Sequence, residues 1–107
     1  MDRNDMRTRD SARIILDPPT FSPTPEMRGA YLQRRKGELD ALMDHARAGE
    51  WKPVMTIVNH IRGTGAMYGF PGIGDAAANV VRAVQNGDTN SLTVMEEYAG
   101  IVAGASV

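Results

Sequence analysis

Residues 54–73, VMTIVNHIRGTGAMYGFPGI, place an imidazole, a cation and glycines close together in the sequence. A neutral imidazole such as that of His60 can act as a nucleophile, and the guanidinium of Arg62 is a fork of hydrogen-bond donors, so this stretch is a candidate site. Apolar residues recur at steps of three and four, which predicts a helix with one buried face. That face holds Val54, Ile57, Val58, Ile61, Gly65 and Tyr68. Asn59, His60, Arg62 and Gly63 fall on the other face, which is either a functional site or an ordinary solvated surface.

Residues 62–70, RGTGAMYGF, carry the most specific pattern in the chain. They resemble the core motif of histidine-containing phosphotransfer (HPt) domains. In that motif a histidine is followed by any residue, Leu or Ile, Lys, Gly, several small residues, and a further Gly before an apolar residue. Arg62 stands where the motif has its lysine, and Pro71 and Ile73 suit the start of the next helix.

The resemblance covers residues 25–104 and implies a signalling module of a bacterial-type two-component phosphorelay. Such a module binds the receiver domain of a response regulator or of a hybrid histidine kinase. The surface implied for this contact holds Asn59, His60, Arg62, Gly63 and Ala66.

The position of the phosphoacceptor histidine in the motif is occupied by Asn59, and the histidine comes one residue later. A helix turns about 100° per residue, so Arg62 lies about 60° from Asn59 but about 160° from His60. An amide is not a nucleophile at neutral pH, whereas a neutral imidazole nitrogen is. The spacing therefore favours Asn59 in the acceptor position and a domain that binds its partner without carrying phosphate there.

Two other interpretations stay open. In one, His60 is the phosphoacceptor of an active phosphotransfer protein; in the other, the chain is a helical scaffold or dimerisation module with an inert polar face. An enzyme has no specific support, so we expect a phosphocarrier or binding module rather than a catalyst. The sequence does not determine the oligomeric state.

Composition narrows the classes of partner and cofactor. The 107 residues suit one domain, and a net charge of −1 gives no electrostatic footprint for nucleic acid or an anionic membrane. There is no cysteine, and neither histidine belongs to a metal-binding motif, so no metal or cofactor is predicted. No apolar run is long enough for a membrane span or a signal peptide, which predicts a cytoplasmic protein.

The remaining periodicity predicts four helices, at about residues 25–48, 52–68, 71–85 and 91–103. Thr24 and Pro25 suit the start of the first, and Gly49 and Gly87 suit the loops. The connections are short, so the predicted fold of residues 25–107 is an all-α, antiparallel up-down four-helix bundle. Arg35 falls on the buried face of the first helix, and we expect its side chain to extend to the bundle edge.

Residues 1–24 form an N-terminal arm in this interpretation, because prolines interrupt any helix before residue 25. The arm is either a solvated tail or a short strap over one end of the bundle. In the second case it would be held by Ile14, Ile15, Leu16 and Phe21.

Overall fold

The computed structural model describes residues 21–107, so most of the predicted arm over residues 1–24 lies outside the described residues. The described part contains five helical segments and no strand. They are α1 (Pro25–Gly37), α2 (Leu39–Arg47), α3 (Trp51–Thr64), α4 (Pro71–Gln85) and α5 (Ser91–Gly104). The prediction of an all-helical protein is confirmed for these residues.

Helix α1 begins where the sequence predicts. The backbone N–H of Met27 donates to the side-chain oxygen of Thr24 at 3.1 Å, and Pro25 occupies the first helical position. Glu26 lies in the first turn, where a negative charge is favoured by the helix dipole. These features fix the residue at which helix α1 begins.

The single helix predicted over residues 25–48 is divided into α1 and α2 at Glu38. Glu38 has φ −93° and ψ −3°, a sparsely populated conformation, and it follows Gly37, a weak helix former. Helical hydrogen bonding continues across the junction, from Glu38 N–H to the Arg34 carbonyl and from Leu42 N–H to the Glu38 carbonyl. The division is therefore a local distortion within one continuous helical path.

Gly49 and Gly87 lie in loops as predicted, and both end a helix in the same way. Gly49 has φ +75° and Gly87 has φ +68°. In the first turn Gly49 N–H donates to Ala46 O at 3.0 Å, and Glu50 N–H donates to His45 O at 2.8 Å. This pair of bonds is a Schellman motif, in which a left-handed residue satisfies the last carbonyls of the helix.

The helices pack around one apolar core. Helix α3 packs against α2 and α4, α4 packs against α5, and α5 also contacts α1 and α2. With α1 and α2 counted as one helical path, four helices enclose the core, which fits a helical bundle. The core consists of Tyr31, Leu32, Leu42, Met43, Ala46, Val54, Val58, Ile61, Phe70, Ile73, Ala76, Ala77, Val80, Val81, Met95, Tyr98 and Val102.

None of the five helices in residues 21–107 combines the length and the apolar character that crossing a bilayer requires.

The residue after α3 and the first turn of α4 approach each other closely at two glycines, Gly65 and Gly74. A Cβ atom on Gly65 would lie 2.6 Å from the backbone nitrogen of Gly74 and 2.8 Å from its Cα. The sequence placed Gly65 on the buried face toward a neighbouring helix, and the structure confirms this. A Cβ atom on Gly63 would meet no atom of residues 21–107 within 4 Å.

The second predicted helix was expected to continue to Tyr68, but α3 ends at Thr64. Residues 65–69 make a tight turn that closes with another Schellman motif. Phe70 N–H donates to the Gly65 carbonyl at 2.8 Å, and Gly69, with φ +87°, donates to the Ala66 carbonyl at 3.0 Å. The turn brings the start of α4 back onto Gly65.

Gly63 in α3 and Gly65 directly after it give a matched pair of substitutions. We expect Gly65→Ala to lower the free energy of unfolding by about 1–3 kcal/mol, because the new methyl group overlaps backbone atoms that cannot rotate away. Gly63→Ala should raise it by up to about 1 kcal/mol, because alanine is the better helix former and its methyl group meets open space. Urea denaturation of both variants checks this, and equal effects would contradict the close approach of α3 and α4.

Candidate functional site

Four of the five residues proposed for partner binding form a stripe along α3 and the turn after it. Arg62, Gly63 and Ala66 are exposed, and Asn59 is half-buried. They follow one another at steps of three and four residues, so they are neighbours on the surface. We call Asn59, Arg62, Gly63 and Ala66 the α3 stripe. Gly63 leaves a flat, open area at its centre.

His60 is exposed but lies on a different side of α3, where it lines an open groove with a volume of about 820 Å³. The α3 wall of this groove also holds Thr56, Ile57 and Thr64. The opposite wall comes from α1, with Met27, Tyr31 and Arg34 among its residues. Arg62 does not line the groove. The imidazole of His60 and the guanidinium of Arg62 therefore lie on different surfaces of α3.

The backbone at His60 is held by a short chain of hydroxyl groups. The hydroxyl of Thr64 donates to the His60 carbonyl at 3.0 Å, and the hydroxyls of Thr64 and Tyr31 are 2.8 Å apart. Since Thr64 has one hydroxyl proton and gives it to the carbonyl, Tyr31 is the donor to Thr64. The last turn of α3 is thus tied to α1 through the floor of the groove.

Aromatic rings form the end of the groove nearest to α4. The ring of Tyr31 stacks parallel to that of Tyr68, with centroids 4.4 Å apart, and lies 6.1 Å from that of Phe70. Phe21 meets Tyr68 edge-on at 5.3 Å. Such pairs stabilise beyond the apolar area that they bury. These contacts join Phe21, which precedes α1 by four residues, to α1 itself and to the turn after α3.

Arg28 fastens the same turn from α1. Its Nε donates to the Tyr68 carbonyl at 3.1 Å, and its guanidinium lies 5.2 Å from the centroid of the Phe70 ring. A Cβ atom on Gly69 would come within 2.8 Å of Arg28 Nε, so the glycine leaves room for this contact. A cation at the carbonyl end of a helical turn is also favoured electrostatically.

Arg35 does not extend to the bundle edge as expected, because its side chain is buried beside Glu38. Only 4% of its surface is exposed. Its Nε lies 2.7 Å from Glu38 Oε1, and its Nη2 donates to Oε2 at 3.3 Å. The guanidinium also covers the Tyr31 ring at 4.8 Å. The spacing of three residues between Arg35 and Glu38 was the available sequence signal for this pair.

Tyr98 of α5 lies in the same polar region. Its side chain is fully buried, and its hydroxyl has no hydrogen-bond partner among residues 21–107. Burial raises the pKa of the Tyr98 phenol well above its usual range, and the negative charge of Glu38 raises it further. Arg35 opposes the shift because it attracts the phenolate. Arg35, Glu38, Tyr31 and Tyr98 therefore form one polar cluster within the apolar core.

No group of three metal-ligating side chains is present among the described residues. His45 instead pairs with Glu50 across the turn between α2 and α3, with Nδ1 and Oε1 2.8 Å apart. Both side chains are largely exposed.

Comparison with family models, with curated proteins and with solved structures finds no match for this chain. The chemistry of the α3 stripe and of the groove therefore carries the functional argument.

The buried phenol gives a pH-dependent prediction. Above about pH 10 the unfolded chain loses the Tyr98 proton while the folded chain keeps it, so stability falls as pH rises. We expect Tyr98→Phe to reduce this fall by about 1.4 kcal/mol per pH unit in that range. At neutral pH the variant should be as stable as the wild type or more so, since it removes a buried hydroxyl that has no partner among residues 21–107. Urea denaturation at pH 7 and at several alkaline pH values measures both effects, and an unchanged alkaline slope would contradict the assignment.

Proposed function

We propose that this chain is an HPt-like signalling module that binds receiver domains through the α3 stripe. It serves as an adaptor, decoy or regulator of a two-component phosphorelay, and it does not carry phosphate at the usual acceptor position. It is a binding module and not a catalyst, and it acts in the cytoplasm.

The observation that carries this proposal is the arrangement around Gly63. The position of the glycine is exposed, its space is open, and its helical neighbours are Asn59 and Arg62. A glycine inside a helix costs about 1 kcal/mol relative to alanine, so its presence needs a cause. Gly65 has that cause within the fold, in the backbone of Gly74. Gly63 has none among residues 21–107, and the same is true of Gly100 in α5. What sets Gly63 apart is its place beside Asn59 and Arg62 in the HPt-like pattern, where close approach of another protein would supply the cause.

The chemistry of the stripe fits a partner-binding role without phosphate transfer. Asn59 offers an amide, which donates and accepts hydrogen bonds but does not attack phosphorus. Arg62, three residues on, offers a fork of donors that suits the carboxylates or phosphate at the acidic centre of a receiver domain. The stripe can therefore bind such a centre without taking its phosphate.

A second function is favoured by one observation in the groove. Arg34 of α1 lines the same groove as His60, so a cation other than Arg62 is present on the His60 side of α3. In this alternative His60 is the phosphoacceptor, and Arg34 stabilises the phosphorylated imidazole.

The finer topology belongs to the same proposal. We propose that the helices run antiparallel, up and down, as in HPt domains. The short connections 48–50, 65–70 and 86–90 support this, because so few residues join only neighbouring helices.

The α3 stripe is tested as a binding surface by adding bulk and charge at Gly63. We expect Gly63→Glu to abolish binding to receiver domains encoded with this chain, because the new carboxylate occupies the contact surface and repels an acidic partner. The matched control is Gly100→Glu, on the exposed surface of α5, where a Cβ atom also meets open space. Calorimetric titration measures both variants.

If Gly63→Glu and Gly100→Glu bind a receiver domain equally well, the α3 stripe is not the contact surface. If no receiver domain binds the wild type, the scaffold interpretation replaces the proposal.

The acceptor position is tested by two further variants. We expect little or no label on the wild type after incubation with a ³²P-phosphorylated receiver domain, and an acid-labile label on Asn59→His, because that variant places an imidazole beside Arg62. When His60→Ala is added to Asn59→His, the double variant should carry as much acid-labile label as Asn59→His alone. A strongly labelled wild type that loses its label in His60→Ala would instead establish His60 as the phosphoacceptor.

A further inference from the structure

The groove between α1 and α3 has a mainly apolar lining that is incompletely covered by residues 21–107. Three of its lining side chains, Phe21, Met27 and Met67, are exposed over 44%, 39% and 49% of their surfaces. Large apolar side chains grouped in one concave surface mark a site that another segment or molecule covers.

The chain itself approaches the groove from the N-terminal side. Phe21 is the first described residue, and its ring already packs edge-on against Tyr68 at the groove. Twenty residues precede it, and their one concentrated apolar run is Ile14, Ile15 and Leu16, followed by Asp17. The run therefore lies only a few residues from a position that is fixed in the groove.

The length of the connection suits the groove. Residues 14–17 stand four to seven positions before Phe21, which allows an extended reach of about 13–25 Å. The sequence Pro18-Pro19 predicts an extended rather than a helical connection before Phe21. An extended segment that enters from Phe21 can therefore lie along the groove.

The charges of the groove and of this segment are complementary. Arg35 and Glu38 both line the groove and are paired with each other, which leaves Arg34 as the charged side chain of the lining that is unpaired among residues 21–107, with His60 beside it in the same groove. Arg34 is exposed and accessible to an acidic partner. Asp17, next to the apolar run, supplies a carboxylate of the required sign.

We propose that residues 14–17 of this chain bind in the groove between α1 and α3. Ile14, Ile15 and Leu16 cover Met27 and Met67, Asp17 pairs with Arg34, and the segment shields His60. The groove is then a binding site for a segment of its own chain. This inference does not rest on receiver binding, because the α3 stripe lies outside the groove.

The absence of cysteine from the sequence allows a clean distance measurement on the full chain. A nitroxide is attached to Ser11→Cys, and the methionine methyl groups are observed by NMR. We expect the Met27 and Met67 resonances to lose most of their intensity, while those of the buried Met43 and Met95 lose less. The added change Leu16→Asp should restore the Met27 and Met67 signals.

The matched control for that added change is Met6→Asp, which places the same charge elsewhere in the arm and should leave the broadening in place. Broadening that appears only between a spin-labelled chain and a separate isotope-labelled chain would overturn the proposal, because the occupant would then be a second copy. Broadening that Leu16→Asp does not relieve would also overturn it.

A second measurement uses the two histidines. Diethyl pyrocarbonate modifies accessible imidazoles, and His45 in the last turn of α2, whose side chain is 43% exposed, is an internal reference. We expect Leu16→Asp to increase the modification rate of His60 relative to His45, and Met6→Asp to leave the ratio unchanged. An unchanged ratio in Leu16→Asp, with the Met43 and Met95 resonances of the folded core intact, would contradict shielding of His60.

Discussion

The contact of Gly65 with Gly74 is the constraint on which the rest of the candidate site depends. Any side chain at Gly65 would overlap the backbone of α4, so the distance between α3 and α4 is set by the absence of one. The turn over residues 65–69 and its left-handed Gly69 follow from the need to start α4 at that distance. With the core side of α3 fixed in this way, Gly63 and its neighbours are held facing outward.

The parts of the fold that depend on local pattern were predictable. Periodic apolar residues specified the helices, and the cap at Thr24 and the turns at Gly49 and Gly87 followed from side-chain chemistry at single positions. The early end of α3 was missed because helical periodicity continues to Tyr68, while the packing of α4 on Gly65 decides where the chain turns. The opposed positions of His60 and Arg62 followed from helix geometry alone.

The groove was not predictable, because its walls come from segments far apart in the sequence. The stack of Tyr31 on Tyr68 and the hydroxyl chain through Thr64 appear only when α1 lies beside the turn after α3. The buried position of the Arg35 side chain was not predictable for a related reason. A charged residue on an apolar face is expected to extend to water, but Glu38 and the Tyr31 ring compensate the guanidinium within the protein.

The contacts that hold α1 determine the order in which parts of the molecule open. Its backbone packs against α2 and α5, whereas Arg28 and the rings of Tyr31 and Phe70 join it to the α3–α4 turn. Segments with fewer buried aliphatic contacts open at lower free energy than the core. The amide protons of α1 should therefore exchange with solvent through a partial opening that leaves α3, α4 and α5 folded. That opening would separate the two walls beside His60 without unfolding the surface around Gly63.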